Sequence, residues 1–275
     1  MSKSQSGSKR GKWIMWSGVG ACVLGLALLV WTPFSKPSLE DSTIVLTPAA
    51  GVQAPAGKGD VLTILYSGDG GWADLDKQLG GAFVADGIPV LGINGFKYFW
   101  RNRDPDQAAA ELDALMTKYL TQWHKRRVWL VGFSFGADVL PTLIDKLSPA
   151  NRARITQLVL LSPSHDTSFE IQFEGYMITQ GRFKAFVKTV LEKFNKVEHY
   201  DALPPLVALK DQFPVVCYYG RDEADDALCT DPGLPAWVTV HAKNGDHHFE
   251  GGYQPLAAQM VEEMPAQAAG TSTGH

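Results

Sequence analysis

The sequence predicts an α/β chain: a mostly parallel sheet with helices on both faces. Three observations carry this. Short apolar runs of strand length recur along the chain. Longer stretches with helical periodicity lie between them. The apolar runs are continuous rather than alternating, as in strands covered on both faces. With 275 residues, 45% hydrophobic and 20% charged, the chain can build one core of ordinary size with short extras at its ends.

In chain order, residues 35–59 are rich in Pro, Ser, Gly and Ala and read as a linker, with room for one strand at Ser42–Leu46. Val61–Tyr66 (VLTILY) is a buried-type strand, Ala73–Asp86 a helix and Pro89–Ile93 the next strand. Asp104-Pro105 then opens a helix, with Asp as its cap and Pro at the first helical position. Ala108, Leu112, Leu115, Met116, Tyr119 and Trp123 fall on one face of it. A strand at Arg127–Val131 and a helix at Ala137–Leu147, with Pro141 inside, come next. Strands at Gln157–Leu161, Pro214–Tyr219 and Trp237–Ala242 follow, and a helix near Tyr253–Met264 closes the domain, drawn as 60–264. Residues 265–275 read as a loose tail. Residues 164–211 interrupt the rhythm by almost fifty positions and include Phe169, Phe173 and Tyr176. They read as a cap-like insertion, or else as an ordinary helical layer.

Residues 1–12 are a basic tail, and the uncharged run Trp13–Phe34 is 22 residues long, enough for one bilayer crossing. Trp13, Trp16 and Trp31 stand near its ends. The expectation is a single-pass inner-membrane anchor, basic tail in the cytoplasm and the following domain in the periplasm; a cleaved signal peptide is the alternative. The segment 1–35 holds four basic residues and no acid, so the remaining 21 basic and 29 acidic residues leave a net charge of −8. That balance, without a basic stripe, excludes a nucleic-acid partner and favours cationic ones. In an exported domain Cys217 and Cys229 form a disulfide, the alternative being two separate buried thiols.

Gly132-Phe133-Ser134-Phe135-Gly136 fits the G-x-S-x-G elbow between a strand and a helix. It makes Ser134 the candidate nucleophile and the fold an α/β-hydrolase fold. His247, just past the last strand, is the candidate base, with His248 beside it. Glu223, three residues after Gly220, is the candidate acid; Asp225 and Asp222 are alternatives. The oxyanion hole takes backbone N–H groups from Phe135 and from Asp69, in the loop Ser67-Gly68-Asp69-Gly70-Gly71-Trp72. Gly70 and Trp72 are candidate substrate contacts. No P-loop, dinucleotide fingerprint or zinc spacing is present, so neither cofactor nor metal is expected.

SGDGGW at 67–72, Tyr98-Phe99-Trp100 before Pro105, GFSFGADVLP at 132–141, Cys217 with Tyr219-Gly220, and GDHHF at 245–249 together resemble the VirJ/AcvB family of bacterial envelope proteins. The resemblance spans roughly residues 60–264. It implies a periplasmic serine hydrolase that cleaves the aminoacyl ester of lysyl- or alanyl-phosphatidylglycerol, a membrane lipid. Ser134 matches the family's elbow serine and His247 its GHH-type motif. Asp246 stands where the family usually has a second glycine. On this reading Asp69 or Asp138, both near the elbow, would pair with the substrate ammonium. The competing readings are an esterase or lipase acting on fatty-acyl chains, and a non-catalytic partner of an envelope assembly or secretion system.

Overall fold

The structure, a computed structural model, describes residues 36–171 and 199–267. Seven strands form one sheet: β1 (Thr43–Leu46), β2 (Val61–Tyr66), β3 (Val90–Ile93), β4 (Arg127–Phe133), β5 (Ile155–Leu161), β8 (Val215–Gly220) and β9 (Thr239–Lys243). Their spatial order is β1-β3-β2-β4-β5-β8-β9. All neighbours run parallel except β1, which pairs antiparallel with β3 through Thr43↔Ile93 and Leu46↔Val90. The fold is thus the α/β-hydrolase type.

Strand alternation sorts the core into two layers. On one face, Val61, Leu65, Trp129, Val131 and Val159 pack against α1 (Asp74–Ala85) and α7 (Tyr253–Glu263). On the other, Leu62, Ile64, Tyr66, Leu130 and Leu158 meet α3 (Pro105–Gln122) and α4 (Phe135–Asp145). Short helices α2 (Gly95–Phe99), α5 (Pro149–Arg152) and α6 (Leu203–Val207) fill connections. Asp104 caps α3 as its sequence predicts, accepting from the Asp106 and Gln107 N–H groups at 2.8 and 3.1 Å. Trp129 is fully buried and still satisfies its indole, donating to Gln157 Oε1 at 2.9 Å.

The linker region lies on the domain rather than beside it. Lys58 is buried, and its ammonium donates to the Val261 carbonyl near the end of α7. Arg127, at the start of β4, reaches Asp60, the Gly57 carbonyl and the Pro265 carbonyl. Gln267 N–H donates to Gly57 O at 2.8 Å. The two ends of the insertion pair as a small antiparallel ribbon, β6 (Asp166–Ser168) with β7 (His199–Asp201). Its centre, with Phe173 and Tyr176, lies outside the described residues.

The expected single-pass inner-membrane location is corrected. Among the described residues, no helix is long and apolar enough to cross a membrane. The longest, α3, is 18 residues and carries Asp106, Glu111, Asp113 and Lys118 opposite its buried face. The run 13–34, on which the expectation rested, lies outside the described residues.

Candidate active site

β4 extends two residues further than its apolar run suggests, to Phe133, and α4 begins at Phe135. Ser134 alone makes the turn, with φ 52° and ψ −123°. A non-glycine residue there costs of order 1–3 kcal/mol, and such strain collects at reactive positions. The neighbours hold it: Ser134 N–H donates to Leu161 O at 2.8 Å, and Ser134 O accepts from the Ala137 and Asp138 N–H groups at 2.7 and 3.1 Å. The flanking glycines are demanded by crowding. A Cβ on Gly132 would sit 2.6 Å from Gly136 O, and one on Gly136 2.5 Å from Tyr66 O. No side chain fits where strand, helix and the end of β2 converge.

His247 lies in the loop after β9. Its Nδ1 is 2.6 Å from Glu223 Oε2. Glu223 ends a one-turn 3-10 helix after β8, and its other oxygen accepts from Gly220 N–H at 3.3 Å. With Nδ1–H given to the carboxylate, Nε2 is left as a proton acceptor. Three contacts set the loop: Asp222 N–H donates to Gly245 O at 3.0 Å, Ser162 Oγ donates to His247 O at 3.2 Å, and the His247 ring lies 5.2 Å from that of Phe133. Asp222 and Asp225 are exposed, and neither carboxylate meets His247. Ser162, with φ 48°, is a positioning residue that no sequence motif marks.

Cys217 and Cys229 are joined in a disulfide. It ties β8 to the 3-10 turn Leu228–Thr230, and Glu223 sits inside the closed loop. Closing a loop of this size is worth about 3 kcal/mol. The Cys217→Ala/Cys229→Ala pair is expected to lose about 2–4 kcal/mol in denaturant unfolding; a loss under about 0.5 kcal/mol would show that the bridge does not brace the domain.

Ser134, Phe133, His247 and His248 line one cleft of about 580 Å³ with the loop after β2, the start of α1, and Tyr253. That loop passes close to the nucleophile: a Cβ on Gly68 would lie 3.3 Å from Ser134 Cβ. Among the described residues, no backbone acceptor outside the regular elements takes the N–H of Phe135 or Asp69, so neither is committed there. Gly70 is exposed on the cleft. Trp72 also lines it, but its ring is wedged on Gly92 of β3, where a Cβ would come within 2.3 Å. Trp72 therefore forms wall more than surface.

Asp138 departs from expectation. It is 7% exposed and is not among the cleft residues. Its carboxylate accepts from Ser164 N–H and Ser164 Oγ, both at 2.7 Å. Position i+4 on α4 turns it onto the segment after β5, away from substrate. Burial pushes its carboxyl up to about 7. The folded form thus holds a proton that the unfolded chain gives up near 4, so this group costs stability as pH rises from about 4 to 7. Asp138→Asn keeps an acceptor for Ser164 N–H and is expected to show a smaller loss of Tm over that range. An identical pH profile would exclude Asp138 as the source.

Among the described residues, no group of three or more His, Cys, Asp or Glu is placed to hold a metal ion.

The family model described as bacterial virulence protein (VirJ) matches residues 60–268. The chain belongs to the VirJ family. The match takes in both the elbow of this VirJ-family chain and its histidine loop. Among curated proteins no sequence relative is found. Solved structures resemble it in fold: an esterase of Pyrococcus furiosus, at TM-score 0.50 and 17% identity, covering 74% of this chain and 79% of that one. A soluble variant of the monoglyceride lipase from Saccharomyces cerevisiae, in complex with a substrate analogue, has TM-score 0.52 and 10% identity, covering 83% and 92%. At these identities the VirJ-family chain shares their fold, and the likeness extends no further.

Proposed function

We propose that this chain is a serine ester hydrolase, and that it cleaves the ester joining lysine or alanine to the headgroup of phosphatidylglycerol. One observation carries the reading: a strained elbow serine shares its cleft with a histidine whose Nδ1 is held by a carboxylate at 2.6 Å. Ser134 Oγ attacks the aminoacyl carbonyl while His247 Nε2 takes its proton. The carbonyl oxygen becomes an anion met by the Phe135 and Asp69 N–H groups. The tetrahedral centre then collapses. The C–O bond to the lipid glycerol breaks, and its oxygen leaves with the proton from His247. Water repeats the sequence and frees the amino acid and Ser134. Glu223 stabilises the imidazolium in both halves.

The choice of an aminoacyl lipid rests on the family resemblance and on the acidic balance of residues 36–275. The test is to incubate the full chain with lysyl- and alanyl-phosphatidylglycerol vesicles and follow free amino acid beside Ser134→Ala. Release by the parent chain alone is the expected result. Cleavage of a simple acyl ester but of neither lipid would replace this substrate with a fatty-acyl one.

A further inference from the structure

One charged group at the cleft has no part in that mechanism. Asp76, in the first turn of α1, is 1% exposed and belongs to the cleft wall. Its Oδ2 accepts from Ala73 N–H at 3.0 Å and caps the helix. Its Oδ1 is buried without a hydrogen-bond partner. Capping does not account for this, because one oxygen suffices for a cap and the other is ordinarily left to water. A buried carboxylate oxygen with no donor is destabilising, and burial lifts the Asp76 carboxyl to about 7. Such an oxygen calls for a donor, and the residue that carries it lines the cleft.

The surroundings say what kind. Asp69 and Asp74 line the same cleft, and Lys77 is the fixed cation among its lining residues. The balance favours a positive guest. A metal ion needs several oxygen ligands converging on one point, and no such group exists among the described residues. A primary ammonium needs only one good acceptor, and its bond to a carboxylate is charge-assisted.

We propose that Asp76 anchors an ammonium-binding subsite in the cleft of Ser134, so that the site selects esters whose acyl part carries a free amine. The inference rests on the ester-hydrolase reading above and names the residue behind its selectivity. Asp69, on the exposed loop, adds charge at the mouth of the cleft; Asp76 makes the contact.

The test compares alanyl-phosphatidylglycerol with its N-acetylated form in identical vesicles, using the full chain. The parent chain is expected to prefer the free amine in kcat/KM by about tenfold or more, the scale of one charge-assisted hydrogen bond. Asp76→Asn keeps a capping acceptor, and its preference is expected to fall to within about twofold, mostly through KM. A preference that survives the substitution overturns the assignment. A second measurement needs no variant: alaninamide should inhibit hydrolysis of a neutral p-nitrophenyl ester by the parent chain competitively, and N-acetylalaninamide should not. Equal inhibition by the two, or none, overturns it as well. Equal cleavage of both lipids removes the subsite and leaves the proposed function. Cleavage of neither lipid, with selective inhibition by alaninamide, removes the proposed lipid substrate and leaves an ester hydrolase with the subsite.

Discussion

Ser134→Ala is expected to lower kcat for ester hydrolysis about 10⁴- to 10⁶-fold, with KM little changed. The hydroxyl is the atom that bonds to the carbonyl, and nothing else in the cleft replaces it. What remains above the water rate would come from the two backbone N–H groups. A residual rate within about a hundredfold of the parent would move the nucleophile elsewhere. The same position carries a stability effect of opposite sign. Ser134 holds φ 52°, which alanine shares at the same cost and glycine does not. Ser134→Gly is therefore expected to be inactive and yet more stable, by about 1 kcal/mol in denaturant unfolding. A glycine variant no more stable than the alanine one would mean that the elbow stores no strain.

Glu223→Gln is expected to lower kcat by about 10²- to 10⁴-fold. The carboxylate holds the His247 proton on Nδ1 and offsets the positive charge that the ring gains. An amide does neither, and it can present its NH₂ and favour the wrong tautomer. Asp222→Asn and Asp225→Asn are expected to stay within about threefold of the parent, since both acids face water. Steady-state rates on one ester for the three variants settle the matter. A large loss at Asp225 with none at Glu223 would break the assignment of the acid.

The sheet was legible because its inner strands are apolar on both faces: VLTILY at 61–66 and QLVLL at 157–161 admit no exposed edge. The elbow was legible because crowding leaves only glycine on either side of Ser134. Glu223 could be favoured among four acids by its spacing from Gly220, but only the folded loop shows which carboxylate turns inward. Other features left no trace. β6 and β7 read DTS and HYD, polar triplets whose pairing depends on distant partners. Asp138 is near Ser134 in sequence, yet helix geometry sends its side chain to Ser164. Asp76 sits in the first turn of a helix, where an acid ordinarily signals a solvated cap, so its burial was invisible.

The stitching of Gly57, Asp60, Arg127, Pro265 and Gln267 has a practical consequence. The segment just before β2 and the carboxyl end of the described residues meet at the start of β4, while Ser134 stands at its far end, about 20 Å along the strand. A fusion partner or surface attachment joined near Gln267 therefore leaves the cleft facing away from its support.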